Sequence, residues 1–173
     1  LGSYGRDLRP ASSLLELVRA LDASRDDVAF RLGSIEPMDV PRPLVDLMQH
    51  SGRIAPHFHL PLQHASDRVL AAMRRPYAVA SYRDLVEDIR ARLPHAAIGA
   101  DLVAGFPGES DADARANEDT LAALPLSHLH VFPYSDRPGT EAAGMRPKVA
   151  SAEIQARAAR LRAIGACLSA RFA

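Results

Sequence analysis

The sequence predicts an α/β protein, in which a parallel sheet with outer helices curls into a partial barrel. Apolar segments of strand length alternate along the chain with segments of helical spacing. The connections between them are short, as in units where a helix joins two parallel strands. The 173 residues supply four strands at most, fewer than a closed eight-stranded barrel needs.

Each element follows from a local pattern. Ser12 or Ser13 is expected to cap the first helix, Pro43 opens the second, and Ser81 is expected to cap the fourth. The predicted helices cover 14–21, 43–49, 67–73, 81–93, 111–124 and 152–171, and the predicted strands 28–35, 57–62, 97–103 and 129–132.

The composition excludes several classes of protein. Acidic and basic residues balance at 21 each, which is unlike a disordered chain or a strongly basic nucleic-acid binder. RNA contacts would therefore depend on local patches. The single cysteine, Cys167, excludes an internal disulfide framework, and its apolar surroundings predict a small buried side chain. No apolar run is long enough to cross a membrane. A start without Met or a signal core predicts a truncated or processed chain.

Three predicted strands have one apolar and one more polar face, because side chains alternate along a strand. The apolar faces are Phe58, Leu60 and Leu62; Ile98, Ala100 and Leu102; and Leu129 and Val131. The opposite faces are His57, His59 and Gln63; Gly99, Asp101, Val103 and Gly105; and His128, His130, Phe132 and Tyr134. The second set is expected to face a cavity.

Three polar segments have both a structural and a functional interpretation. Gly105 and Gly108 lie in a strand-to-helix loop, where they form a tight turn or let the backbone approach a ligand. The basic segment 73–77 is a solvated helix end or an RNA contact in which Tyr77 stacks on a base. Segment 136–140 is a turn or a substrate loop.

The pairs His57/His59 and His128/His130 suggest metal ligands, with Asp101 as a carboxylate. A metal-dependent barrel hydrolase or aldolase is therefore an alternative function. Because this spacing constrains little, we expect instead that the histidines line a cavity or are hydrogen-bonded in the core, without a metal.

Seven motifs occur in the order found in radical S-adenosylmethionine (SAM) methylthiotransferases, which the chain resembles over nearly its whole length. The combination of LGSIEP with HVFPYSDRPGT resembles the branch acting on threonylcarbamoyladenosine beside the tRNA anticodon. The QHAS segment at 63–66 is closer to the ribosomal-protein branch, and the isopentenyladenosine branch is a further alternative. The motifs are LGSYG at 1–5, RLGSIEP at 31–37, HLPLQ at 59–63, DRVL at 67–70, MRRPY at 73–77, GFPGE at 105–109 and FPYSDRPGT at 132–140.

This resemblance implies the C-terminal part of a TIM-like partial barrel of the radical SAM type, with its N-terminal units missing. Residues 1–150 would belong to that barrel, and 151–173 would form a helix leading to an absent RNA-binding barrel. The full enzyme would use SAM and two 4Fe-4S clusters to add a methylthio group to tRNA in the cytoplasm. The cluster ligands are absent here, so no catalytic residue is expected, and tRNA would bind mainly through missing domains.

The resemblance also implies site residues at the strand ends. Arg68 is expected to bind the SAM carboxylate, or to form a surface ion pair on its own helix. A non-catalytic RNA- or protein-binding remnant remains a third possibility, and an exposed sheet edge is expected to promote dimerisation. The predicted SAM-binding residues are Ser34, Glu36, Gln63, Arg68, Asp101, Gly105, Pro133, Tyr134 and Ser135, and the predicted substrate-binding residues are Arg74, Arg75 and Arg137.

Overall fold

The computed structural model describes residues 1–25 and 27–173, and its sheet has three parallel strands in the order β1-β2-β3. The strands are β1 (His57–His59), β2 (Ala97–Ala104) and β3 (His128–Pro133). Phe58 lies opposite Ile98 in the first ladder. Leu102 lies opposite Val131 in the second. The carboxyl ends of the strands therefore lie at one edge, and the predicted parallel α/β fold is confirmed.

The described ranges contain seven α-helices, together with a short 3-10 turn at Pro37–Asp39. The first begins at a serine cap, because the Glu16 N–H donates to Ser13 Oγ over 3.2 Å. The last packs on β3, β2 and the fifth helix. The helices are α1 (Leu14–Asp22), α2 (Arg42–His50), α3 (Asp67–Ala72), α4 (Val79–Arg92), α5 (Asp111–Ala123), α6 (Glu141–Gly144) and α7 (Ser151–Phe172).

The core lies between the helices and the predicted apolar face of the sheet. Ile98, Ala100 and Leu102 are completely buried, in one cluster with Val86 of α4 and Leu161 of α7. Burying a side chain of the size of Ile98 or Leu102 contributes about 1.5–3 kcal/mol. This face therefore holds the helices, and the histidine face is left for other contacts.

The predicted strand over 28–35 is wrong, because the segment forms only isolated bridges, from Phe30 to Ile54 and from Ser34 to His59. Its neighbour β1 is also shorter than the predicted 57–62. Pro56 and Pro61 flank β1, and a proline has no N–H to donate to a ladder. The backbone on this side of the sheet consequently pairs at single residues.

In the segment that follows β1, tyrosine hydroxyls donate hydrogen bonds to backbone carbonyl groups. Tyr82 donates to the Leu60 carbonyl over 3.0 Å. Tyr77 lies 3.0 Å from the Pro61 carbonyl oxygen and 3.2 Å from that of Leu62. Burial raises the pKa of Tyr77 to about 12, so its hydroxyl remains a donor at neutral pH. The extended run beyond β1 is thereby held against α4.

Two further predictions are corrected. Ser81 does not cap α4, which begins at Val79 after Ala78; Asp67 Oδ1 accepts the Val79 N–H over 2.7 Å. Cys167 is exposed rather than buried, because the buried positions of α7 lie on its other side. Among the residues described, no helix is both long and apolar enough to cross a membrane.

Candidate functional site

A cavity of about 550 Å³ opens at the carboxyl ends of β2 and β3. Gln63 and Val103 line it together with Pro133, Tyr134 and Ser135. Its volume falls within the range of pockets that hold small molecules. In parallel α/β folds, ligands bind at this edge of the sheet.

The cavity brings together two groups of predicted residues that are distant in sequence. Four of the predicted cofactor residues line it: Gln63, Pro133, Tyr134 and Ser135. All three predicted substrate residues, Arg74, Arg75 and Arg137, line it too. The remaining predicted residues, Ser34, Glu36, Arg68, Asp101 and Gly105, lie outside its lining.

The apolar walls of the cavity include residues that the sequence analysis did not assign to it. Phe106 meets Tyr134 edge-on, with ring centroids 5.6 Å apart. Phe132 and Met145 also line the cavity, and Phe132 is 53% exposed. Such faces offer stacking surfaces to a base. Because the sequence places Phe132 on the polar face of β3, its position at the cavity could have been predicted.

Two non-glycine residues with left-handed backbone conformations lie at this cavity. Gln63 has φ 69° and Arg74 has φ 57°. Two backbone hydrogen bonds to β2 hold Gln63. Its N–H donates to the Asp101 carbonyl over 2.8 Å, and its carbonyl accepts from the Val103 N–H over 2.9 Å. Backbone strain of this kind is common at binding sites. Here the two hydrogen bonds hold Gln63 in this conformation at the cavity.

The three arginines differ in their partners. Arg74 pairs with Glu141 at 2.7 Å, and Arg75 pairs with Glu36 at 3.1 Å. Glu36 is therefore neutralised by a cavity residue without lining the cavity itself. Arg137 has no salt-bridge partner within 1–25 and 27–173, so its charge is available to a ligand.

Arg68 is held by the protein outside the cavity. Its guanidinium pairs with Asp113 of α5 and donates to the Gly108 carbonyl over 2.7 Å. Burial alone would raise the pKa of Asp113, but hydrogen bonds from Arg68, Ser110 and Ser66 hold that pKa well below its usual range. Arg68 thus joins α3 to α5 rather than pairing on its own helix.

Ser34 is also tied to the protein. It bridges His59 of β1, and its carbonyl accepts the amino group of Leu1 over 3.2 Å. Its side chain is exposed. The assignment of Ser34 to SAM remains a prediction.

Packing against α7 requires a residue without a side chain at position 105. Its φ is +79°, and an added Cβ would lie 2.4 Å from Cγ1 of Ile154 in α7. On the Cβ side of this glycine the space is therefore occupied by Ile154, and the assignment of Gly105 to SAM remains a prediction. The Gly105 N–H donates to Glu109 Oε2 over 2.6 Å, which fixes the loop.

Glu109 is the centre of a buried network that sequence reasoning missed. Its carboxylate lies 3.2 Å from Nη1 of Arg157 and 3.7 Å from Nε2 of the fully buried His64. The Ser66 N–H donates to His64 Nδ1 over 3.0 Å, so the opposite ring nitrogen carries the proton. Burial would raise the pKa of Glu109, but His64, Arg157 and the Gly105 N–H hold it lower.

The polar face of the sheet carries four clustered histidines. His57 stacks on His128 with centroids 5.9 Å apart, and His59 lies 5.2 Å from His130. Asp101 Oδ1 lies 2.9 Å from His59 Nε2 and 3.3 Å from His130 Nδ1. The predicted alternation of faces is therefore confirmed.

Burial shifts the pKa of two of these histidines. It lowers the pKa of His57 to about 4, with nearby Arg31 and the neighbouring imidazoles acting in the same direction. Burial and His130 lower the pKa of His128 as well. Both rings are thus neutral near pH 7.

The chain is similar to a defined group of proteins. No family model matches it. It is 37% identical over 153 residues to tRNA-2-methylthio-N(6)-dimethylallyladenosine synthase of Mycolicibacterium vanbaalenii, covering 88% of this chain and 30% of that protein. It is also 37% identical to the threonylcarbamoyladenosine tRNA methylthiotransferase MtaB of Thermotoga maritima, covering 84% and 33%.

A third relative is the ribosomal protein uS12 methylthiotransferase RimO of Acidothermus cellulolyticus, 37% identical with coverage of 90% and 33%. Among solved structures, the radical S-adenosylmethionine methyltransferase TsrM from Kitasatospora setae matches with a TM-score of 0.53 and 20% identity, over 67% of this chain and 23% of that one. The chain spans about a third of the length of these curated relatives. Its sequence and its partial-barrel fold together show that it belongs to the radical SAM methylthiotransferase family.

Proposed function

We propose that the chain is the C-terminal part of the radical SAM domain of a tRNA methylthiotransferase acting on N6-threonylcarbamoyladenosine next to the anticodon. In the whole enzyme, a methylthio group would be added to C2 of that adenosine, in the cytoplasm. Residues 1–150 would complete the barrel, and 151–173 would lead to the RNA-binding part. The observation that carries the proposal is that Gln63, residues 133–135 and three arginines line the same cavity.

The cavity fits a nucleoside-containing cofactor such as SAM. Aromatic walls at Phe106 and Tyr134 suit an adenine ring, and backbone groups at 133–135 suit its polar edge. The side-chain amide of Gln63 would orient the amino-acid end. SAM bound here would supply the radical after reduction by a cluster held outside this segment, and a second SAM would supply the methyl group; the residues of this chain would bind and orient the cofactor.

The same residues do not fit an iron–sulfur cluster. A cluster requires several thiolates, whereas this sequence has only Cys167, exposed on α7. The two 4Fe-4S clusters proposed for the full enzyme would therefore depend on ligands outside this segment, and the segment alone is expected to be inactive.

Arginines provide the substrate side of the cavity. Arg137 and Thr140 line it, and so do Arg74 and Arg75, which follow α3 in the chain. Guanidinium groups bind phosphate through paired N–H donors. Because the chain has no net charge, these local groups are the basis for RNA contact.

The choice of substrate branch depends on which motifs occur together, because relatives from three branches match the chain at similar identity. LGSIEP together with HVFPYSDRPGT favours threonylcarbamoyladenosine. The isopentenyladenosine and ribosomal-protein branches are the alternatives.

Calorimetric titration with SAM tests the cavity assignment in this chain. Gln63→Asn keeps a residue that tolerates a left-handed backbone but shortens the side chain, and we expect it to weaken binding at least about tenfold. The matched control is Gln155→Ala, exposed on α7. Equal affinity for the parent and Gln63→Asn, or RNA binding without SAM binding, would contradict the assignment.

A second experiment tests the activity and the branch. The reading frame upstream of Leu1 is expected to encode a CxxxCxxC motif. The complete protein with reconstituted clusters is then incubated with tRNA carrying threonylcarbamoyladenosine, tRNA carrying isopentenyladenosine, and ribosomal protein uS12. Methylthiolation of the first substrate supports the proposal, and modification of only one of the others overturns the branch.

A further inference from the structure

Three side chains from three neighbouring strands converge on the polar face of the sheet. His59 lies on β1, Asp101 on β2 and His130 on β3. One ligand atom of each lies within 4.8 Å of the other two. Asp101 and His130 are direct partners in the ladder, so the backbone register fixes their spacing.

The two separations from the Asp101 carboxylate are close to those between ligands of one metal ion. Asp101 Oδ1 lies 2.9 Å from His59 Nε2 and 3.3 Å from His130 Nδ1. Two ligands that each lie about 2.1 Å from a tetrahedral ion are roughly 3.4 Å apart. An ion could therefore bind all three atoms after small side-chain adjustments.

The surroundings keep the cluster together and leave it open on one side. The side chains of His59 and Asp101 are 11% and 22% exposed, whereas that of His130 is 54% exposed. Solvent and a ligand can therefore reach the site from the His130 side.

Gly99 provides the room in which the neighbouring imidazole lies. An added Cβ at Gly99 would lie 2.0 Å from Nε2 of His128. The His128 ring can therefore lie across β2, where its centroid is 5.3 Å from that of His130. The His128 ring therefore lies beside the cluster and covers part of it.

From this arrangement we propose that His59, Asp101 and His130 bind a divalent transition-metal ion, with zinc as the reference case. Two imidazoles and one carboxylate suit zinc, cobalt or nickel better than magnesium or calcium, which prefer all-oxygen sites. Three protein ligands leave a coordination position for water or a small oxygen ligand. The proposal replaces our expectation that these histidines bind no metal.

This site is separate from the proposed SAM cavity, since none of its three ligands lines that cavity. Asp101, which the sequence predicted to bind SAM, is here assigned to the metal instead. Its test is therefore independent of the proposed function. Titration calorimetry with zinc chloride is performed on the 173-residue chain carrying Cys167→Ser, which removes the exposed thiol as a competing ligand. We expect one site per chain and no heat from magnesium chloride under the same conditions.

Asp101→Asn and His130→Gln are expected to weaken zinc binding at least about 100-fold, since even loss of a supporting residue costs about 10–100-fold. His95→Gln, at an exposed histidine outside the cluster, is the matched control and should leave the affinity unchanged. Circular dichroism checks that each variant is folded. Absence of zinc binding by the folded parent, or equal affinity of parent and Asp101→Asn, would overturn the proposal.

Discussion

At the scale of single residues, the Glu109 carboxylate connects the loop after β2 to α7. It accepts hydrogen bonds from the Gly105 and Phe106 N–H groups and pairs with Arg157 of α7. The Arg157 side chain is 5% exposed and also pairs with Asp111 and Glu153. Removing the Glu109 charge therefore leaves a buried cation with only its outer partners.

Glu109→Gln is expected to lower the free energy of unfolding by about 3 kcal/mol, because a buried ion pair loses one partner. Urea denaturation measures the change. Glu118→Gln is the control, since its partner Arg160 is about half exposed and the expected loss is within about 1 kcal/mol. Equal losses in the two variants would show that Glu109 has no special structural role.

The lowered pKa values of Asp113 and Glu109 predict acid sensitivity. A carboxyl group whose pKa is lower in the folded state stabilises that state above the unfolded pKa of about 4, and this contribution is lost as the pH falls further. The free energy of unfolding should therefore decrease as the pH is lowered from 6 to 3. The decrease should be smaller in Asp113→Asn, and an unchanged slope in that variant would contradict the assignment.

At the scale of elements, the sequence was sufficient to predict α1, α2, α5, α7 and the parallel strands β2 and β3, because their periodicity agrees with their packing. It was not sufficient for 28–35, whose apolar pattern suggests a strand although β1 offers it few partners. The start of α4 was also misplaced, since the Asp67 carboxylate that accepts from Val79 comes from another helix.

The same limit applies to the candidate site. Strand-end motifs were sufficient to locate Gln63 and residues 133–135 at one cavity. The pairing of Arg68 with Asp113, and of Glu109 with Arg157, joins residues more than forty positions apart. No local pattern reports such contacts, which depend on how α3, α5 and α7 pack.

The loop between β2 and α5 allows two contributions to the cost of replacing a glycine to be separated, namely side-chain packing and backbone conformation. Gly105→Ala is expected to cost about 3 kcal/mol, because the positive φ and the contact with Ile154 both disfavour a Cβ. Gly108→Ala is the matched control: its φ is +82°, but nothing lies within 4 Å of the added Cβ, so only about 1 kcal/mol is expected. Thermal or urea unfolding of both variants measures the difference, and equal costs would exclude the Ile154 contact.

At the scale of the whole molecule, β3 has a strand partner on one side only within the described part of the chain. Phe132 of that strand is 53% exposed. An unpaired edge with exposed apolar surface favours pairing with a second copy.

We therefore expect self-association of the chain, seen as a sedimentation coefficient that rises with protein concentration. Phe132→Lys should reduce the rise, because a lysine at an edge opposes pairing. Phe172→Lys, at a comparably exposed position near the end of α7, serves as the control. A monodisperse monomer at all concentrations would contradict the expectation.

The close approach of His128 to Gly99 has a consequence for how the sequence can diverge. A side chain at 99 would overlap the imidazole, whereas a smaller residue at 128 would free that volume. The two positions are therefore expected to be epistatic. Enlargement at 99 becomes tolerable only after 128 has shrunk, so viable mutational paths through this part of the sheet must take the two steps in that order.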